Sequence, residues 1–185
     1  MVPLMSLWMP ILLAAILVFV MSSIVHMVLG YHKTDFKPVP KEAEAMGALG
    51  QLEIPPGDYM MPHAKDMKEL QSEAFVKKYS KGPVVIMTVV PPGPPSMGKQ
   101  LVQWFIYCIV VGIFVAYLTG RALGPGAEYL SVFQIAGCSA FMAYALGMPQ
   151  DAIWLSRSWT STFKSMFDGL LYGLVTAGAF GWLWP

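Results

Sequence analysis

Few side chains in this sequence can ligate a metal or move a proton, so their spacing is weighed first. The histidines are His26, His32 and His63, and the cysteines are Cys108 and Cys138. The cysteines lack the close pairing of a zinc site, and no CxxCH is present for covalent haem attachment. His26 lies near the end of a long apolar run. A b-type haem held between helices needs a second imidazole across the iron, which a single histidine in the apolar runs does not supply. Met60-Met61-Pro62-His63 offers the thioether and imidazole donors that suit Cu(I). Copper, through Met60, Met61 and His63 or through the adjacent His26-Met27, is therefore the one metal option, set against methionine as flexible apolar filler. No cofactor is the expectation.

Other chemistries leave little trace. Gly93-Pro94-Pro95-Ser96-Met97-Gly98-Lys99 lacks the P-loop spacing and the hydroxyl residue that follows its lysine. No Ser-His-Asp set is recognisable. His26 and His63 stand as the functional candidates. An enzyme working on lipid or quinone at a membrane face would draw on His32, Asp35, His63 and Asp66.

The elements that must position these groups are read from where charge is missing. Only 12% of residues are charged, 56% are hydrophobic, and the formal net charge is +1. That balance excludes a large basic surface for nucleic acid and leaves too little charge to cover a soluble globule. No Asp, Glu, Lys or Arg occurs before Lys33, from Gln100 to Gly120, from Tyr129 to Gln150, or after Asp168. A membrane-crossing helix needs about 20 mostly apolar residues. Four transmembrane helices are expected, at 1–30 (helical from about 9), 100–120, 129–147 and 168–185. Pro10 would open the first, and Gly30, Gly120 and Gly147 would close the first three. The first segment lacks the basic start of a signal peptide and is expected to remain in the mature chain.

Four spans put both termini and the 121–128 loop on one side, and the 31–99 and 148–167 segments on the other. The second side carries 11 of the 12 Lys and Arg residues, leaving only Arg121 on the first. By the positive-inside rule the termini lie outside and the 31–99 segment is cytoplasmic, in a multi-pass inner-membrane protein.

Small residues recur every fourth position in three helices: Gly169, Gly173, Ala177 and Gly181; Gly112, Ala116 and Gly120; and Ser139, Ala143 and Gly147. Such stripes let backbones approach closely, either within the chain or against a partner. Cys108 and Cys138 read as buried small residues. Gln103, Gln134, Thr176, Ser22 and Ser23 read as interhelical hydrogen-bonding groups.

The 31–99 segment holds 10 of the 15 prolines and reads as a cytoplasmic lid. Its expected parts are helices from Pro40 to Leu49 and from Ser72 to Lys81, and a β-hairpin between Asp58–Met61 and Pro83–Val90. Residues 148–167 read as one amphipathic interfacial helix, with Trp154, Arg157, Trp159 and Lys164 at the headgroup level. The fold class is therefore all-α integral membrane, with a small α+β loop region. The expected function is a non-catalytic accessory or assembly subunit of a larger inner-membrane complex. Its partners would be the lipid bilayer and other membrane subunits or further copies of itself, without nucleic acid. A homo-oligomeric transporter or channel, or the membrane enzyme above, is the alternative.

Overall fold

The computed structural model describes all residues from Met1 to Pro185. In chain order the elements are α1 (Trp8–Ser23), α2 (Glu42–Gly50), β1 (Gly57–Met61), α3 (Met67–Leu70), α4 (Glu73–Lys81), β2 (Val85–Val89), α5 (Gly98–Ala122), α6 (Tyr129–Ala145), α7 (Pro149–Trp154) and α8 (Trp159–Trp182). The chain is mostly helical and forms two compact units, Met1–Lys37 with Ser96–Pro185, and Pro38–Pro95.

In the first unit α1, α5, α6 and α8 close a ring in which each helix packs on two others. The backbone of Val2 bonds the Gly120 carbonyl, and Gly126 bonds that of Pro185. Both chain ends and the α5–α6 turn therefore share one end of the bundle. The helical runs Leu4–Leu29, Gly98–Ala122 and Tyr129–Trp154 are long and apolar enough to cross a membrane. Leu12, Ile16, Val20, Ile106, Val110 and Phe114 remain exposed around them. An outward apolar surface of this kind is compatible with a membrane protein, where lipid is the solvent.

Several boundaries differ from expectation for identifiable reasons. The first helix begins with a 3-10 turn at Leu4–Leu7, so Pro10 sits in the first turn of α1 and not at its first position. The first four N–H groups of a helix lack internal partners, so proline is tolerated there as well. Gly30 does end the first helix, in the left-handed conformation at φ 62°. Gly120 does not end α5, which runs on to Ala122. A Cβ at Gly120 would lie 2.7 Å from the Val2 carbonyl oxygen, so its role is close approach.

The interfacial helix expected over 148–167 is two elements. α7 stops at Trp154, the chain passes through Ser156 at φ 53°, and Ser158 then caps α8, its Oγ accepting from the Ser161 amide. The residues from Trp159 onward belong to the fourth long helix. That helix is 24 residues long against the 17 charge-free residues counted from sequence. Its length is about 36 Å at ~1.5 Å per residue.

The small-residue stripe of α8 is used inside the chain. A Cβ on Gly169 would meet Ala145 Cβ at 2.8 Å, and one on Gly173 would meet the Gly137 carbonyl at 3.3 Å. Ala177 faces Gly137, and Gly181 lies under the Tyr129 ring. On α5, Gly112 meets Ile11 of α1, and Ala116 is fully buried. Of the α6 stripe only Ser139 is buried. Ala143 and Gly147 are exposed, and α6 packs through Val132, Ala136, Ala140, Tyr144 and Ala145 instead. Cys108 is buried but Cys138 is exposed. Among the polar groups, Ser22 Oγ accepts a 2.9 Å bond from Trp104 Nε1, whereas Gln103 and Gln134 are exposed and Thr176 Oγ1 is buried without a partner.

The second unit is a two-stranded antiparallel sheet with three short helices. Gly57 pairs with Val89 and Met61 with Val85. The strands are joined through α3 and α4 and so do not form a tight hairpin. Ser72 caps α4 by accepting from the Phe75 amide, as its sequence suggests. Asp66 caps α3 in the same way through the Glu69 amide.

Candidate functional site

At the bundle end opposite the chain termini, four consecutive-turn residues meet one face of α8. The π-helical turn Ile24–Leu29 carries His26, a wider winding that recurs at functional positions. Gly30 then reverses the chain, and Tyr31–Thr34 form a 3-10 turn. On a continuous α-helix, residues six apart point about 120° away from each other. The reversal at Gly30 instead stacks the His32 ring on that of His26, centroids 4.6 Å apart and planes parallel.

α8 supplies the other half. Lys164 and Asp168 are one turn apart and so lie on the same helix face. His32 Nε2 is 2.7 Å from Asp168 Oδ2, and His32 Nδ1 is 2.6 Å from Asp35 Oδ2. Lys164 Nζ donates to Asp35 Oδ1 at 2.8 Å, to Thr34 Oγ1 at 2.8 Å and to the Tyr31 carbonyl at 2.7 Å. The Tyr31 hydroxyl donates to Asp168 Oδ1. Asp168 is only 5% exposed, and a buried carboxylate is tolerated when its oxygens are held in this way. Both nitrogens of His32 face carboxylate oxygens, so the ring bridges Asp35 and Asp168.

The surroundings act on the groups next to the bundle. Burial pushes the Tyr31 phenol well above its usual range, reinforced by its bond to Asp168 and by the charges of Asp168 and Asp35. For Asp35, burial alone would raise the carboxyl. The hydrogen bonds from Lys164 and His32, with their positive charge, outweigh it and hold the group below the usual carboxylate range. One turn further along α8, Tyr172 enters an aromatic layer with Trp104 and Tyr144, at centroid distances of 5.8 and 5.5 Å. Tyr144 and Tyr172 are buried.

Three of the residues could hold a metal. One donor atom from each of His26, His32 and Asp168 lies within 4.8 Å of the others.

Of the histidines singled out by sequence, His26 is at this node and hydrogen-bonds the Ser22 carbonyl through Nδ1 at 3.0 Å. His63 lies in the second unit, exposed on the chain leaving β1. Met60 and Met61 are adjacent in β1, so their side chains point to opposite faces of the strand. His32 and Asp35 do come together, whereas Asp66 caps α3. Asp168 was missed as a site residue. Lys164, expected at the headgroups, spends its three donors on Tyr31, Thr34 and Asp35, while Trp154 and Trp159 are exposed, as is Arg157. The missed signal was the Lys164-x-x-x-Asp168 spacing, which puts a cation and a carboxylate on one face of a helix that is otherwise uncharged.

Compared with protein-family models, with curated proteins and with solved structures, the chain matches none of them.

Proposed function

We propose that the protein is an integral membrane subunit whose four long helices all cross the bilayer, and that it docks into a larger membrane assembly without catalysing a reaction there. In this reading both termini lie outside and residues 31–99 in the cytoplasm, at an inner membrane, which the 11 of 12 cations falling on the inner side support. The bundle supports a fourth span. From Asp168 at one end, α8 and the residues that follow it reach Pro185 beside Gly126 at the other, about the height crossed by α6.

The small-residue stripes of α5 and α8 do not speak for a partner, since they are consumed within the chain. The observation that carries the docking reading is Gln134, exposed on the outward face of α6 beside Cys138. A carboxamide facing lipid gains from an interhelical hydrogen bond. The groove there, between α6 and α8, holds about 260 Å³ and is lined by Phe133, Phe141, Leu170 and Leu174 besides Gln134. Its shape and chemistry suit a helix of another membrane protein that carries a polar side chain.

A photo-crosslinker at Gln134 tests this in native membranes. The expected product is a covalent adduct with a larger membrane protein that survives mild detergent extraction. Recovery of monomer alone, from crosslinked membranes and on native gels, overturns the subunit reading. Cysteines placed at Gly124 and at Lys65 should label from opposite sides of intact membranes, and labelling from the same side overturns the topology.

A further inference from the structure

We propose that His26, His32 and Asp168 form a binding site for one divalent first-row transition ion, Zn²⁺ in the first instance. The donor set is two imidazoles and one carboxylate, which suits zinc and its neighbours and leaves a position open for water or another ligand. The inference is independent of the docking reading, because the site lies at the far end of α6 and α8 from the chain termini and involves no partner.

The argument rests on how the ligands are already held. Metal-bound histidines present one nitrogen to the ion and donate the other N–H to a carboxylate or a carbonyl. His32 meets that requirement: its Nδ1 is 2.6 Å from Asp35 Oδ2, and Asp35 is in turn fixed by Lys164. Its Nε2 points at Asp168 Oδ2 from 2.7 Å. Asp168 is oriented from the other direction, its Oδ1 accepting from the Tyr31 hydroxyl and its Oδ2 left for the ion. His26 places Nδ1 against the Ser22 carbonyl, so the lone pair is on Nε2.

Distances define what binding changes. Two ligands about 2.0 Å from a tetrahedral ion are about 3.3 Å apart. The ion therefore replaces the proton between His32 Nε2 and Asp168 Oδ2 and spreads those atoms by roughly half an ångström. The third ligand moves further. Because the His26 and His32 rings are stacked in parallel, an ion in the plane of His32 lies outside the plane of His26. His26 is exposed while Asp168 is buried, so it is the His26 ring that swings out of the stack to close the site.

The test uses full-length protein in detergent, stripped with a chelator and titrated with Zn²⁺, and in parallel with Co²⁺, whose visible absorption reports imidazole and carboxylate ligation. The expected result is one ion per chain and a Co²⁺ band from a site of low symmetry. His26→Ala, an exposed position that spares the fold, should weaken binding by at least about 100-fold, beyond the ~10–100-fold typical of losing an outer-shell partner. Asp168→Asn should abolish the Co²⁺ band, and His63→Ala should leave both signals unchanged. Absence of stoichiometric binding overturns the proposal. Binding that persists in His26→Ala and is lost in His63→Ala does so as well.

Discussion

His32 Nε2 and Asp168 Oδ2 are 2.7 Å apart across 136 positions of sequence. The contact ties the chain leaving the first long helix to the fourth, and so joins the first and last helices of the bundle at the end where no covalent turn connects them. Tyr31 and Lys164 reinforce the same junction from either side. The helix ring is thereby closed by polar contacts at one end and by the packed chain termini at the other.

Asp168→Asn should destabilise the folded chain by about 3 kcal/mol, because removing one member of a buried charged set leaves the others uncompensated. Tyr31→Phe removes only a hydroxyl donor and should cost about 1 kcal/mol. Glu44→Gln breaks the Lys41–Glu44 pair, whose side chains are 75% and 73% exposed, and should fall within about 0.5 kcal/mol of the parent. Thermal unfolding in detergent measures all three. Equal melting temperatures for Asp168→Asn and Glu44→Gln would show that the node carries no stability.

How much of this was legible in the sequence follows from the range of each signal. Absence of charge is a local property, and it located α5 and α6 to within two residues at each end. Ser72 and Gly82 framed α4 for the same reason. The node was half legible: His32 and Asp35 were recognised as chemistry-bearing residues, but their partners lie on a distant helix. Asp168 was read as the boundary of an apolar run, since a charge at the edge of a charge-free interval looks like its end. The break at Ser156 was invisible too. The apolar residues on either side keep a helical period, and nothing about a serine announces φ 53°.

Glycines in two helices should respond to alanine with opposite signs. Gly169→Ala puts a methyl 2.8 Å from Ala145 Cβ and 3.1 Å from the Tyr144 carbonyl carbon, so α6 and α8 must separate. The expected cost is about 1–3 kcal/mol. Gly47 lies inside α2 with nothing within 4 Å of the added carbon. There alanine reduces the backbone entropy lost on folding and should raise local helix stability by about 1 kcal/mol. Melting temperature reads the first, and amide exchange across α2 reads the second. A neutral Gly169→Ala would mean that the α6–α8 contact is looser than these distances allow.

Ser22→Ala should loosen the aromatic layer. It leaves the Trp104 indole N–H, which now donates to Ser22 Oγ at 2.9 Å, without an acceptor. Loss of this bond at a partly buried donor costs about 1 kcal/mol. Trp104 fluorescence should shift and the melting temperature should fall, whereas Ser23→Ala, whose hydroxyl bonds only the Phe19 carbonyl within its own helix, should change neither. An unchanged Trp104 emission in Ser22→Ala would place its N–H elsewhere.

The pH dependence of the node follows from Asp35. Its carboxyl is held below the usual value of about 3.9 by Lys164 and His32 despite partial burial. A group whose folded-state pKa is depressed contributes stability that is fully present above the unfolded value and is lost as pH falls through the folded one. The parent should therefore melt higher than Asp35→Asn at pH 6, and the gap should hold down to about pH 4. Below that it should shrink, as the parent carboxylate gains its proton and Lys164 loses its ionised partner in both proteins. Other carboxylates shift both curves together, so the difference between them isolates Asp35. A gap that stays constant from pH 6 to pH 3 would mean that the ionised Asp35–Lys164 pair contributes nothing, and that the difference is one of packing alone.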